Sequence, residues 1–237
     1  MNPHATWSYA AIMLSAIALG FILSRQPQKR LCLDRGQRWG VGLGAFCGAM
    51  IASKLPFVLM HPLHLAAWLD NGKTILGGLV GGYLGVEVAK WMMGVKIKTG
   101  DSFAVPVAVA IGVGRLSCFV AGCCYGTVTS LPWGVDFGDG RPRHPTQLYE
   151  FFFHISAAAC LAWFQRRGMF RQQLIKLYIL SYLVYRFASE FIRPEPRMVG
   201  PLTGYQIAAL LLMPVFVGLW VHDRRQMLMP PQGGSVG

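Results

Sequence analysis

Residues 102–126 read SFAVPVAVAIGVGRLSCFVAGCCYG, and their first twenty, 102–121, hold a single charge, Arg115. A helix rises ~1.5 Å per residue, so twenty such residues cover ~30 Å, the thickness of a bilayer's hydrocarbon core. The segment therefore reads as a membrane span. Its far end is unusual for one, because Arg115 is followed by Cys118, Cys123 and Cys124.

The rest of the 237 residues repeats the apolar pattern: 54% of them are hydrophobic and only 14% are charged. Blocks long enough to cross a bilayer fall at roughly 5–23, 39–60, 74–93, 102–121, 147–165, 173–192 and 202–221. The expected fold is all-α, a polytopic membrane protein of about seven transmembrane helices. It forms one domain over 1–225, with a turn-rich, disordered tail over 226–237. The first block lacks a basic n-region and a small-residue cleavage site, so it reads as a retained helix rather than a signal peptide. The longer connections are 24–38 and 122–146. No internal repeat of the kind that transporters are built on is visible.

The formal net charge is +12. In a soluble chain this would raise nucleic acid as a partner, but here the basic residues sort by loop. Fourteen flank alternate connections: Arg25, Lys29, Arg30, Arg35, Arg38, Lys90, Lys96, Lys98, Arg166, Arg167, Arg171, Lys176, Arg224 and Arg225. The opposite loops hold Lys73, Arg141, Arg143, Arg193 and Arg197. Basic loops stay in the cytoplasm, which places the N-terminus outside and the C-terminus inside. The partner is a membrane, not a nucleic acid.

Three basic residues remain inside spans: Lys54, Arg115 and Arg186. Each is about six residues, or roughly 9 Å, from the outer end of its helix. Glu190 follows Arg186 at i, i+4, one turn further out. A charge in a span is costly and faces a partner or a wet cavity. Lys54 could snorkel outward, and Arg186 could simply pair with Glu190. Arg115 has no carboxylate within a turn of its own helix. An outward-opening cationic pocket at this depth suits a lipid phosphate, which arginine binds with paired donors.

The long outer loop ends in RPRHPTQLYEFFF. Pro142 and Pro145 hold His144 in an extended stretch, Thr146 is a candidate helix cap, and Gln147, Tyr149 and Glu150 open the fifth span. An interfacial aromatic belt with a solvated His144 would account for the same residues. The five glycines of ILGGLVGGYLG suit close helix packing or an acyl-chain wall. His61 and His64 flank Pro62 with no third ligand. Cys118, Cys123 and Cys124 sit toward the oxidising face, where disulfide formation, a reactive thiol and packing all remain open. Zinc would need a further ligand, with His144 the candidate, and no C-x-x-C spacing supports one. The reading therefore assigns no metal and no cofactor.

These residues resemble the phosphatidylglycerol–prolipoprotein diacylglyceryl transferases. Gly114, Arg115, Phe119, Gly122 and Gly126 match the family pattern G-R-x-x-N-F-x-N-G-E-x-x-G. Arg143, His144, Pro145, Gln147, Leu148, Tyr149 and Glu150 match RHPxQLYE, and Arg186, Phe187, Glu190, Phe191 and Arg193 match RFxxEFxR. Tyr182 matches a family tyrosine, and GPLTGYQ resembles the motif that opens the last span. The resemblance covers nearly the whole chain. It departs at Cys118 and Ala121, where the family has asparagines, at Cys123, where it has glutamate, and at Leu76, where it has histidine.

The resemblance implies transfer of a diacylglyceryl group from phosphatidylglycerol, or a related anionic phospholipid, to a lipobox cysteine of a prolipoprotein. The site would open to the outer face of a bacterial inner membrane. It implies His144, Glu190 and Arg186 as catalytic residues, with His144 the remaining general base and Glu190 either orienting Arg186 or acting as base. Arg115, Gly126, Gln147, Tyr149, Glu150 and Tyr182 would line the substrate site. A divergent member that modifies or binds a lipid with another acceptor would use Cys118, Cys123 or Cys124 as nucleophile or redox group.

Overall fold

The computed structural model describes residues 3–60 and 73–228, with side chains from Trp7 to Val58 and from Lys73 to Leu228. His61 and His64 lie outside the described residues. Seven α-helices account for most of what is described: α1 (Pro3–Lys29), α2 (Arg35–Met60), α3 (Ile75–Met92), α4 (Gly100–Val120), α5 (Thr146–Arg167), α6 (Leu174–Ser189) and α7 (Gly204–Leu228). Four of them, α1, α2, α4 and α7, are long and apolar enough to cross a membrane. Helix α6 is short, at 16 residues, while α3 and α5 are diluted by glycine or by polar groups that serve the interior. Helix α3 carries five glycines, and α5 buries Thr146, Gln147, Glu150 and His154.

Helix α4 is the hub, packing on α1, α5 and α6, while α2 pairs with α3 and α6 with α7. The core runs through Ala104, Ala108, Leu161, Tyr178, Ile179, Tyr182 and Leu183, closed by Leu79 of α3 and Phe216 of α7. Large apolar side chains on α1, α2 and α7, among them Leu14, Phe21, Phe46 and Leu211, point outward. The α2–α3 pair is set by glycine. A Cβ on Gly81 would strike the Gly48 carbonyl and the Ala52 methyl, so the two backbones touch where any side chain would part them.

Several boundaries differ from the sequence expectation. The expected loop 24–38 shrinks to 30–34, because Arg25, Gln26 and Lys29 are good helix formers that extend α1. Asp34 then starts α2 with a capping box: its carboxylate accepts from the Gln37 amide at 2.7 Å, and the Gln37 side chain accepts from the Asp34 amide at 3.2 Å. The 122–146 connection holds a small hairpin, β1 (Val135–Asp136) on β2 (Pro142–Arg143). The sixth span ends at Ser189 and tightens into a 3-10 turn at Glu190–Ile192. A second hairpin follows, β3 (Arg197–Val199) on β4 (Leu202–Thr203). Helix α7 continues to Leu228, and residues beyond it are outside the described set.

Lys176, counted among the loop cations, is buried in α6 instead. Its ammonium pairs with Asp223 of α7, which Lys98 also reaches at 2.8 Å. Thr146 does not cap α5. It is the first helical residue, and its hydroxyl donates to the Cys124 carbonyl at 2.7 Å.

Candidate active site

The end of α4 is fixed by its backbone. After Val120 the chain turns through Gly122 at φ 63°, which frees two hydrogen bonds: Gly122 N–H to the Phe119 carbonyl and Cys123 N–H to the Cys118 carbonyl, each 3.1 Å. This is a Schellman ending, with glycine at the left-handed position and the next residue folded back over the helix. In such an ending the residue after the glycine meets the one five positions before it. Here those two are Cys123 and Cys118. Cys124, itself at φ 61°, brings a third thiol, and all three sulfurs lie within 4.8 Å of one another. Gln147 and Thr146 of α5 donate to the carbonyls of Cys123 and Cys124 and hold this corner on the bundle.

Somewhat more than one turn before the end of α4, Arg115 reaches off its own helix to pair with Glu150 of α5. Gln147, Glu150 and His154 share the inward face of α5 at helical spacing, as Tyr178, Tyr182 and Arg186 do on α6. Glu150 thereby becomes the meeting point of three guanidinium groups: Arg115, Arg186 at 3.5 Å and Arg193 at 3.2 Å. Tyr182 adds a hydroxyl that donates to Glu150 Oε1 at 3.2 Å. The carboxylate that Arg115 lacks on its own helix comes from the neighbouring one.

The segment after α6 completes the group. Glu190 takes Arg186 at 2.5 Å on one oxygen and accepts from the Thr203 hydroxyl at 2.7 Å on the other. Thr203 also forms a capping box with Gln206 at the start of α7, with bonds of 3.0 and 3.3 Å. Tyr205 lays its ring under the Arg186 guanidinium, 4.0 Å from the centroid. GPLTGYQ is thus a clamp on Glu190 and Arg186. Three guanidinium groups face two carboxylates, and none of these five residues is more than 9% exposed. The Nε–H of Arg115, Arg186 and Arg193 has no hydrogen-bond partner among the described residues.

Above this core lies a half-exposed rim. His144 stands 3.3 Å by its Nδ1 from the Tyr149 hydroxyl, which also accepts from Trp133 Nε1 at 2.8 Å. The His144 backbone is stitched to Gly126 and Thr127, and Thr127 N–H donates to the Ile192 carbonyl at 2.9 Å. Gly126 is a packing glycine, since a Cβ there would meet His144, Thr146 and the Ile192 carbonyl. Arg143 is held at 2.6 Å by Asp139, and the guanidinium keeps that exposed carboxyl below its usual range.

The residues expected from sequence therefore fall into two adjoining groups. Arg115, Glu150, Tyr182, Arg186 and Glu190 form the buried core. His144, Tyr149 and the three cysteines form the rim, which the buried Gly126 and Gln147 anchor. Arg193 was read as a loop charge, but it is buried against Glu150, because the 3-10 turn swings the chain back over the bundle. Its position in RFxxEFxR was the available signal, as GPLTGYQ was for Thr203, Tyr205 and Gln206. His154 had none. It lies fully buried one turn below Glu150, with Nδ1 2.8 Å from the Tyr178 hydroxyl and its ring stacked on Tyr182. A cavity of about 690 Å³ opens elsewhere, between α1, α2 and the Gly100 half of α4. Arg25, Lys29, Arg38, Trp39, Phe46 and Phe103 are among its lining residues. The chemistry-bearing residues are not there.

Membrane-length helices around a polar centre of arginines and carboxylates define a helical membrane protein with a charged interior site. More particularly, the prolipoprotein diacylglyceryl transferase profile matches residues 2–222, and the chain belongs to that family. Similar proteins include the phosphatidylglycerol–prolipoprotein diacylglyceryl transferase of Geobacter sulfurreducens, 36% identical over 89% of this chain and 86% of its own. That of Solidesulfovibrio magneticus is 34% identical over 99% and 95%. That of Clostridium tetani is 29% identical over 92% of both.

Proposed function

We propose that this chain transfers the diacylglyceryl group of phosphatidylglycerol to the cysteine thiol of a prolipoprotein, releasing glycerol 1-phosphate. The observation that supports the reading best is the arginine group. Its buried Nε–H donors, which have no partner among the described residues, call for a further anion with several acceptor oxygens. A phosphodiester is such an anion. When the acceptor sulfur attacks the glycerol carbon, the C–O bond to phosphorus breaks and the departing phosphate gains a second negative charge. Arg115, Arg186 and Arg193 are already oriented to receive it, by Glu150, Glu190, Thr203 and Tyr205.

The acceptor thiol must lose its proton. Glu190 has both oxygens engaged, which favours an orienting role over that of base. In this reading His144, half-exposed at the rim with its Nδ1 near the Tyr149 hydroxyl, takes the proton. The cysteines of this chain do not serve as acceptor. A diacylglyceryl thioether on Cys123 would have no leaving group and would end turnover after one cycle.

In this reading seven helices span a bacterial inner membrane, the N-terminus is outside, and the His144 rim faces the outer leaflet, where the lipobox peptide enters. The test uses the purified protein with phosphatidylglycerol and a synthetic lipobox peptide. The peptide should gain the diacylglyceryl mass, and its Cys→Ser counterpart should not. Arg115→Ala and Arg186→Ala should each slow transfer about a hundredfold, on the order of 3 kcal/mol. Undiminished transfer by both variants would defeat the proposal.

A further inference from the structure

Cys118, Cys123 and Cys124 have no task in the reaction above, yet the fold gathers them. We infer that their three sulfurs form a binding site for a thiophilic d10 metal ion, zinc(II) or copper(I). The Schellman ending of α4 brings Cys123 over Cys118, and the left-handed Cys124 turns its own thiol the same way. The result is three sulfurs within 4.8 Å. An ion with metal–sulfur bonds of ~2.3 Å needs its sulfurs ~3.8–4.0 Å apart, a closure within reach of side-chain rotation. Zinc and copper(I) are the ions that thiolate sets of this kind hold.

The surroundings suit such an ion. Binding replaces up to three S–H protons, which leave to solvent, and leaves the site with net negative charge. Arg115 Nη1 stands 3.7 Å from Cys118 Sγ and offsets that charge. Cys123 and Cys124 are exposed, so an ion can enter from the loop side. The corner is held from outside the cluster, since Thr146 and Gln147 of α5 donate to the backbone carbonyls of Cys124 and Cys123. With three ligands the site is trigonal for copper(I), or holds zinc with one position left to solvent.

The experiment uses the reduced, full-length protein in detergent, titrated anaerobically with zinc(II) or with copper(I) against a competing chromogenic chelator. One ion per chain is expected with at least one of the two metals, and the metal that binds identifies the site's coordination. Cys118→Ser, Cys123→Ser and Cys124→Ser should each weaken retention at least about tenfold, as much as losing even an outer partner of a ligand costs. Cys160→Ser, on a remote face of α5, should not. A readout on the unaltered protein covers variants that fail to fold: alkylation followed by peptide mass mapping. Of the six free cysteines, Cys118, Cys123 and Cys124 should be protected by the metal, while Cys32, exposed in the connection between α1 and α2, reacts with or without it. Metal uptake that leaves those three open to alkylation overturns the inference. So does a reduced protein that takes up neither ion, including one that instead closes a disulfide within the trio.

Discussion

Arg193 reaches back from the loop after α6 and sets its Nη2 3.2 Å from Glu150 Oε2, the oxygen that Arg115 meets from α4. One carboxylate therefore ties three parts of the chain together: the end of α4, the start of α5 and the turn beyond α6. Removing one partner from a buried ion group is destabilising because the remaining charges stay buried without compensation. Glu150→Gln should accordingly lower stability by about 3–5 kcal/mol. Thermal unfolding in detergent reads this as a marked fall in midpoint, and a variant as stable as the parent would mean that the guanidinium groups have another counterion.

Arg193 and Arg197 sit four residues apart and should behave differently. Arg193 is 8% exposed within the charged core, whereas Arg197 is exposed and donates to the Pro201 carbonyl of its own hairpin. Arg193→Ala should reduce diacylglyceryl transfer about a hundredfold. Arg197→Ala should leave it within about twofold, in keeping with a surface substitution. Arg186→Lys should rescue Arg186→Ala only in part, because an ammonium cannot span Glu150, Glu190 and the Tyr205 ring at once. Transfer assays on the purified variants separate these outcomes.

The sequence carried the helices and most of the charged core, because both obey local rules. Apolar blocks of spanning length announce themselves, and a charge inside one has to be satisfied. It did not carry who pairs with whom. Glu150 looked like the start of a helix at an interface, and only the α4–α5 packing brings it to Arg115. Arg193 looked solvated, since the 3-10 turn that buries it leaves no mark in hydropathy. The thiol cluster was half legible. Gly122 at a helix end is a recognised Schellman signal that would have placed Cys123 over Cys118, whereas the left-handed Cys124 is a conformation few non-glycine residues adopt.

The other end of the bundle has its own ionic tie, and it should affect stability without affecting chemistry. Lys176 is 2% exposed and relies on Asp223, which Lys98 also contacts from a position open to solvent. Asp223→Asn should leave Lys176 buried without its counterion and cost on the order of 3 kcal/mol. Lys98→Ala should cost no more than about 1 kcal/mol, as an exposed pair does. Neither should alter the transfer rate of the protein that remains folded. A rate loss in Asp223→Asn at unchanged stability would connect this end of the bundle to the reaction.

Orientation decides which leaflet supplies the lipid, and it can be tested at residues the structure leaves accessible. Ser130 is exposed in the loop between α4 and α5, on the His144 side, while Arg30 and Lys96 are exposed in the two connections that carry basic residues. In the proposed orientation, argued from the asymmetry of basic residues, the first is outside the cell and the other two are in the cytoplasm. Cysteines introduced at these positions are labelled in intact spheroplasts with a membrane-impermeant maleimide. Peptide mass mapping is the readout, so that the exposed Cys123 and Cys124 do not confuse it. Ser130→Cys should react before lysis, and Arg30→Cys and Lys96→Cys only after it. Labelling of Lys96→Cys in intact cells would reverse the topology, move the arginine core to the cytoplasmic leaflet and leave a secreted prolipoprotein unable to reach it.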